Sequence, residues 1–296
     1  MNKIFFCLLI LTTQFLSAQK IDTSKILNIE PHFQTGVAHA DFAWNIAGNI
    51  NGQNPNILSE LIWQDLMGWS YNAGTTLQYG NTGLEIVHAR TSIIQGEATD
   101  TDYNEDDRQE VFFSAQLNGR ESYSSKLSAQ FFYVFSLDND LEIIPAIGLT
   151  RIDELFRLTD NRDRTLNSTY APKWTGVNFK IKAHIPVSNA IRLVPVFEYM
   201  QLNYLAVANW NKIELFKHPV SFEHVAKGYG IETGMMISWK VCSQISLQLR
   251  YDYRYLTTGK GTETLYLAND TTIKTLVNDV SGNSGQLLFG LTFSLY

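Results

Sequence analysis
The stretch ISLQLRYDYRYL, residues 245–256, alternates along its whole length. Ile245, Leu247, Leu249, Tyr251, Tyr253 and Tyr255 fall on one side, and Ser246, Gln248, Arg250, Asp252 and Arg254 on the other. Period two is the mark of a β-strand with two unlike faces. The segment before it repeats the pattern, with Tyr229, Ile231, Thr233, Met235, Ile237, Trp239 and Val241 set against Gly230, Glu232, Gly234, Met236, Ser238 and Lys240. The chain closes on QLLFGLTFSLY, where Leu287, Phe289, Leu291, Phe293 and Leu295 alternate and Tyr296 falls one place beyond. Apolar final strands with a terminal aromatic are the kind of signal that outer-membrane assembly machinery reads.

The connections are one-sided in length. Tight turns occur at VCSQ (241–244), GNT (80–82), LDND (137–140) and PVSNA (186–190), and they alternate with long polar segments near 48–57, 97–110, 159–174, 209–227 and 259–282. A soluble sandwich gives no reason for this asymmetry, whereas an outer-membrane barrel has short periplasmic turns and long outer loops. The predicted fold is all-β, a ten-stranded antiparallel transmembrane β-barrel. Its strands are expected at 31–47, 57–79, 83–96, 111–136, 141–158, 175–185, 191–208, 228–241, 245–258 and 283–296. In such a barrel the apolar face of each strand meets lipid and the polar face lines the lumen. Ten strands leave a lumen mostly filled by side chains, which argues against a general porin.

Composition fixes the compartment. MNKIFFCLLILTTQFLSAQ has the order of a secretory signal, so residues 1–19 are expected to be a signal peptide and 20–296 the barrel of a Gram-negative outer membrane. Of the two cysteines, Cys7 lies within that signal, leaving Cys242 without an internal disulfide partner. The net charge of −6 argues against a nucleic-acid partner. Membrane lipid and lipopolysaccharide are the expected neighbours.

The chemistry concentrates in GEATDTDYNEDD, residues 96–107, where Asp100 and Asp102 stand two apart. On a strand that spacing puts both carboxylates on one face, where they repel and can share a proton. LSELIWQDL, TDTDY and YRYLTTGKGTETLYL, in this order and spacing, resemble the omptin family of ten-stranded outer-membrane endoproteases along nearly the whole mature chain. The resemblance implies a peptide or protein substrate, no metal or cofactor, and a dependence on lipopolysaccharide. It also implies an acidic pair on one wall of an outer cleft facing an Asp-x-His pair on the other, with a water between. Asp100 and Asp102 match the first pair.

The second pair falls on ANWN, with Asn209 and Asn211 in the two places, and neither carboxamide can take a proton from water. Loop two is also shorter than the family's. Two readings follow: His218 or His224 supplies a substitute base, or the chain is a non-catalytic surface barrel for adhesion or ligand binding. Arg151 and Arg157 are the residues expected to meet lipopolysaccharide, although their order differs from the family's pattern. His88 and Ser92 in VHARTS are too far apart on a strand to act as base and nucleophile. His39 and Asp41 are expected to join a lumen network with Arg250, Asp252, Arg254, Glu232 and Lys240. No zinc-ligand spacing or phosphate-cradling loop is present.

Overall fold
The computed structural model describes residues 27–295, so the expected signal peptide and Tyr296 lie outside it. The strands are β1 (Leu27–Ile46), β2 (Ser59–Tyr79), β3 (Thr82–Glu105), β4 (Gln109–Asn118), β5 (Tyr123–Tyr133), β6 (Phe135–Ser136) and β7 (Glu142–Leu158). They continue with β8 (Ser168–Pro186), β9 (Ile191–Asn209), β10 (Phe222–Lys240), β11 (Ile245–Thr258), β12 (Gly261–Tyr266) and β13 (Thr272–Phe293). Ten of them form an antiparallel ring in the order β1-β2-β3-β5-β7-β8-β9-β10-β11-β13, closed by β13 on β1 from His32↔Thr292 to Ile46↔Val277. Closure pairs every strand edge, the condition for polypeptide backbone to sit in lipid.

The expected tight turns all connect neighbouring barrel strands. Gly80 reaches φ 59 in the turn between β2 and β3, a left-handed conformation that glycine adopts freely. Most of the long polar segments differ from expectation, because they contain strand. β3 runs on to Glu105, β8 starts at Ser168, β10 at Phe222, and β12 and β13 form a hairpin within 259–282. The expected strand 111–136 is three strands: β4 pairs with the upper part of β3, β5 with its lower part, and the two-residue β6 with β7. Above the lipid nothing requires an apolar face, so these extensions carry little hydrophobic signal.

Phe33, Val37, Trp69, Phe131, Leu149, Phe179, Tyr229, Trp239, Tyr251 and Phe289 are exposed on the outer wall, the apolar belt of a membrane barrel. The short-turn end is therefore the periplasmic one.

The lumen has two unlike halves. Toward the periplasm it is cross-braced by ion pairs: Lys126 Nζ lies 3.1 Å from Glu198 and 3.0 Å from Glu232, and Glu85 holds Lys180 at 2.7 Å and Lys182 at 2.8 Å. Arg250 pairs with Asp252 at 2.7 Å. Strands on opposite walls are tied together, and removing one partner of such a buried pair costs roughly 3–5 kcal/mol.

Toward the outside the lumen is filled by rings. Phe42 stacks on Phe156 at 4.3 Å between centroids, Trp63 lies 5.1 Å from Phe156, Trp44 5.7 Å from Tyr170, and Trp210 4.8 Å from Phe222. A polar thread runs through this plug. Tyr204 and Tyr170 share a hydroxyl bond of 2.6 Å, Tyr170 meets His224 Nδ1 at 2.8 Å, and His224 Nε2 lies 3.4 Å from Glu263.

Lumen contents follow the expectation for Arg250, Asp252, Arg254 and Glu232, with Lys240 at the periplasmic rim. His39 and Asp41 do not: both point outward, where His39 Nε2 lies 3.5 Å from Asp65 and 4.0 Å from Asp41. On β1 up to Trp44 the buried positions are Gln34, Ala38, Phe42 and Trp44, so along this stretch odd-numbered residues face away from the lumen.

The barrel reconstituted in planar bilayers is expected to show no steady conductance, and Trp44→Ala with Phe156→Ala is expected to introduce openings, each truncation costing about 3–5 kcal/mol. Stable ohmic pores in the unaltered protein would contradict the plug.

Candidate functional site at the outer mouth
The acidic pair reaches the lumen side because two neighbouring strands change face. Low on β3 the buried positions are Glu85 and Ile93, odd numbers, whereas above Gly96 they are Ala98 and the half-buried Asp100 and Asp102. On β2 the same switch occurs near Asp65, which sits at φ 53: Ser70 and Leu66 face inward below it, Trp63 and Leu61 above it. The β2–β3 ladder slips register between Gln64 and Gly68, the irregularity that allows both switches. Bulges of this kind re-aim side chains. Trp63 and Trp69 have the same parity yet face opposite sides, one in the plug and one toward lipid.

Asp100 stands opposite Leu61 on β2 and Ala115 on β4, and Asp102 opposite Ser59. Both lie well above Trp69 and Ile94, where the exposed apolar belt ends on these strands. Burial above the aromatic plug, followed by the charge of Asp102, pushes the Asp100 carboxyl up to about 7. Asp102 is also raised by burial, against a hydrogen bond from Ser59 that lowers it. At neutral pH the pair can hold one proton between its members or receive a cation.

The opposite wall offers no proton acceptor at matching positions. On β9 the inward residues are Met200, Leu202, Tyr204, Ala206 and Ala208, followed by the buried Trp210. Asn209 belongs to the outward set, and its Oδ1 lies 2.9 Å from Nδ1 of the exposed His218. Asn211 ties the loop ends together: its Oδ1 accepts from Asn167 N at 2.9 Å and Ser168 Oγ at 3.2 Å, and its Nδ2 donates to Thr165 O at 2.8 Å. The expectation that Asn209 and Asn211 occupy cleft positions is thereby corrected, since counting along the strand missed which face they share. His224 is 0% exposed, enclosed by Trp44, Phe222 and Tyr170 in the plug. His218 is thus held by Asn209 at the surface, and His224 by Tyr170 and Glu263 within the plug.

Arg151 and Arg157 point outward. Arg151 is bound in a fork by Asp153 at 2.6 and 2.9 Å, and Arg157 donates to Asn167 at 2.7 Å. His88 also faces outward, between Tyr71 OH at 3.3 Å and Ser125 Oγ at 2.9 Å. Sequence reasoning missed the β3–β4 hairpin, whose β4 leaves Val111, Phe112 and Phe113 about half exposed above the membrane. The apolar triplet VFF was the available signal.

The comparisons place this geometry. The family model described as Pom, Protochlamydia outer membrane protein, matches residues 32–295. Among solved structures, the outer-membrane protease OmpT from Escherichia coli superposes with a TM-score of 0.71 at 10% identity, covering 90% of this chain and 97% of that one. The outer membrane protein OprG from Pseudomonas aeruginosa matches with a TM-score of 0.40 at 9% identity, over 90% of this chain and 96% of that one. No curated protein sequence matches the chain. The likeness to OmpT is one of fold.

Asp100 gives a stability signature. Its carboxyl ionises near 7 when folded and near 3.8 otherwise, so between those values the unfolded chain releases a proton that the folded chain keeps. Stability should fall as pH rises through this window and level off above about 7. Asp100→Asn is expected to stabilise the barrel by roughly 1–3 kcal/mol at pH 8 and to change little at pH 4, read from urea unfolding in lipid vesicles. Equal effects at both pH values would contradict the assignment.

Proposed function
The chain belongs to the Pom, Protochlamydia outer membrane protein, family, and from that premise we propose that it is a non-catalytic surface barrel that binds a partner at its outer mouth. The observation that carries this reading is the wall facing Asp100 and Asp102, which presents Ala206, Ala208 and Trp210 where a carboxylate and a histidine would be needed. Without a facing carboxylate and histidine the pair lacks the second half of the arrangement that the omptin resemblance implies, and this reading gives it the role of holding a cationic group. Its setting above aromatic rings suits such a group, because ring faces also attract cations.

The β3–β4 hairpin adds a contact surface of another kind. Exposed Val111, Phe112 and Phe113 beside the acidic mouth give an apolar tip flanked by charge, the composition of a protein-binding patch. Lipopolysaccharide is the proposed lipid neighbour, met by Arg151 and Arg157 on the outer wall above Leu149, with no other cofactor in this reading.

The experiment is hydrolysis of a library of quenched fluorescent peptides by the folded barrel, with lipopolysaccharide present, beside Asp100→Asn and Asp102→Asn. No cleavage by any of the three is expected. Cleavage abolished by both substitutions would replace this reading with an endopeptidase that draws its base from elsewhere in the mouth.

A further inference from the structure
We propose that the periplasmic half of the lumen is a binding pocket for a small anion bearing phosphate or carboxylate groups. This half encloses a cavity of about 330 Å³, within the range of small-molecule sites. Its lining reaches the periplasmic turns at Asn189, Ala190 and Ser243, while the aromatic plug closes its outer end. A ligand therefore enters from the periplasm, and the pocket is separate from the outer mouth.

The walls carry a surplus of donors. Lys180 and Lys182 share one carboxylate, Glu85, so each ammonium spends a single side-chain hydrogen bond and keeps N–H groups for a ligand. Arg192 and Lys240 line the mouth, are exposed, and make no side-chain ion pair or hydrogen bond among the described residues. Glu142, the carboxylate whose field Arg192 reaches, is already bonded to His184 at 2.8 Å. The rim cations sit on neighbouring strands, since Arg192 pairs in register with Ser238 on β10, two residues from Lys240. Ser238 and Ser246 add hydroxyls to the same rim.

The Lys126 cluster has no such surplus, because two glutamates share its one ammonium. From the rim, basic side chains run in a line from Arg192 and Lys240 inward to Lys182 and Lys180, and Arg254, which donates to Ser124, lines the same cavity deeper in. A line of this kind guides an anion inward and holds it by charge-assisted hydrogen bonds.

The test titrates the refolded full chain in detergent micelles with inorganic phosphate and, separately, with citrate, by calorimetry. Saturable binding of one or both probes is expected, with Kd raised at least about tenfold in Arg192→Gln/Lys240→Gln. Those substitutions remove exposed side chains without partners, and heat-modifiable electrophoretic mobility verifies the fold. Lys260→Gln/Lys274→Gln, an equal loss of two charges on the exposed outer hairpin, is expected to leave Kd unchanged. Binding of phosphate alone assigns the pocket to phosphate, and binding of citrate alone to carboxylates. Absence of saturation by either probe below about 10 mM, or equal binding by the double variant, overturns the proposal.

Discussion
In hydrocarbon an unpaired peptide group has no water to turn to, and the ladder between β1 and β13 is what removes the last two free edges of the sheet. Once that ring is closed, each residue on a strand has only two destinations, lipid or lumen. The outer wall then has to be apolar over the thickness of the bilayer. The interior of a ten-stranded ring is narrow, and side chains fill most of it apart from the periplasmic cavity. Everything said about the site depends on which residues this constraint sends inward.

The interior is filled by two different chemistries. Near the periplasm, charges from opposite walls meet and neutralise one another, as Lys126 does with Glu198 and Glu232. Near the outside, rings fill the same cross-section, a Tyr–His–Glu thread runs among them, and Trp63 and Trp174 donate to Arg157 O and Glu154. The boundary between the two makes the barrel a pair of closed compartments: an acidic outer mouth resting on aromatics, and a basic vestibule facing the periplasm. Asp100 lies above this boundary, and its raised carboxyl reflects the poor solvation there.

Much of the fold was legible because lipid imposes period two so strictly. ISLQLRYDYRYL, the final strand and the four tight turns identified the barrel, the strand number and the periplasmic side. The acidic pair was legible for the same reason, as two carboxylates sharing a strand face. Three things were not. Strand extensions above the bilayer need no apolar face, so β12 looked like loop and β4 was merged with β5 into one strand. Register slips near Asp65 and Gly96 invert the face without leaving a clear mark in composition. Asn209 and Asn211 were placed by distance along the chain, but the buried Ala206, Ala208 and Trp210 show that the inward face of β9 carries even numbers. The family resemblance preserved the spacing and concealed this change of face.

The central claim is that the plug divides the lumen, and labelling from one side tests it most directly. With Cys242 replaced by serine, single cysteines are placed at Ser284 in the vestibule and at Asn269 in an outer loop, and intact cells are exposed to a maleimide polymer too large for general porins. The account predicts labelling at residue 269 and none at 284 until the outer membrane is broken. Labelling at 284 in intact cells would mean that the lumen is continuous from outside, and would contradict it.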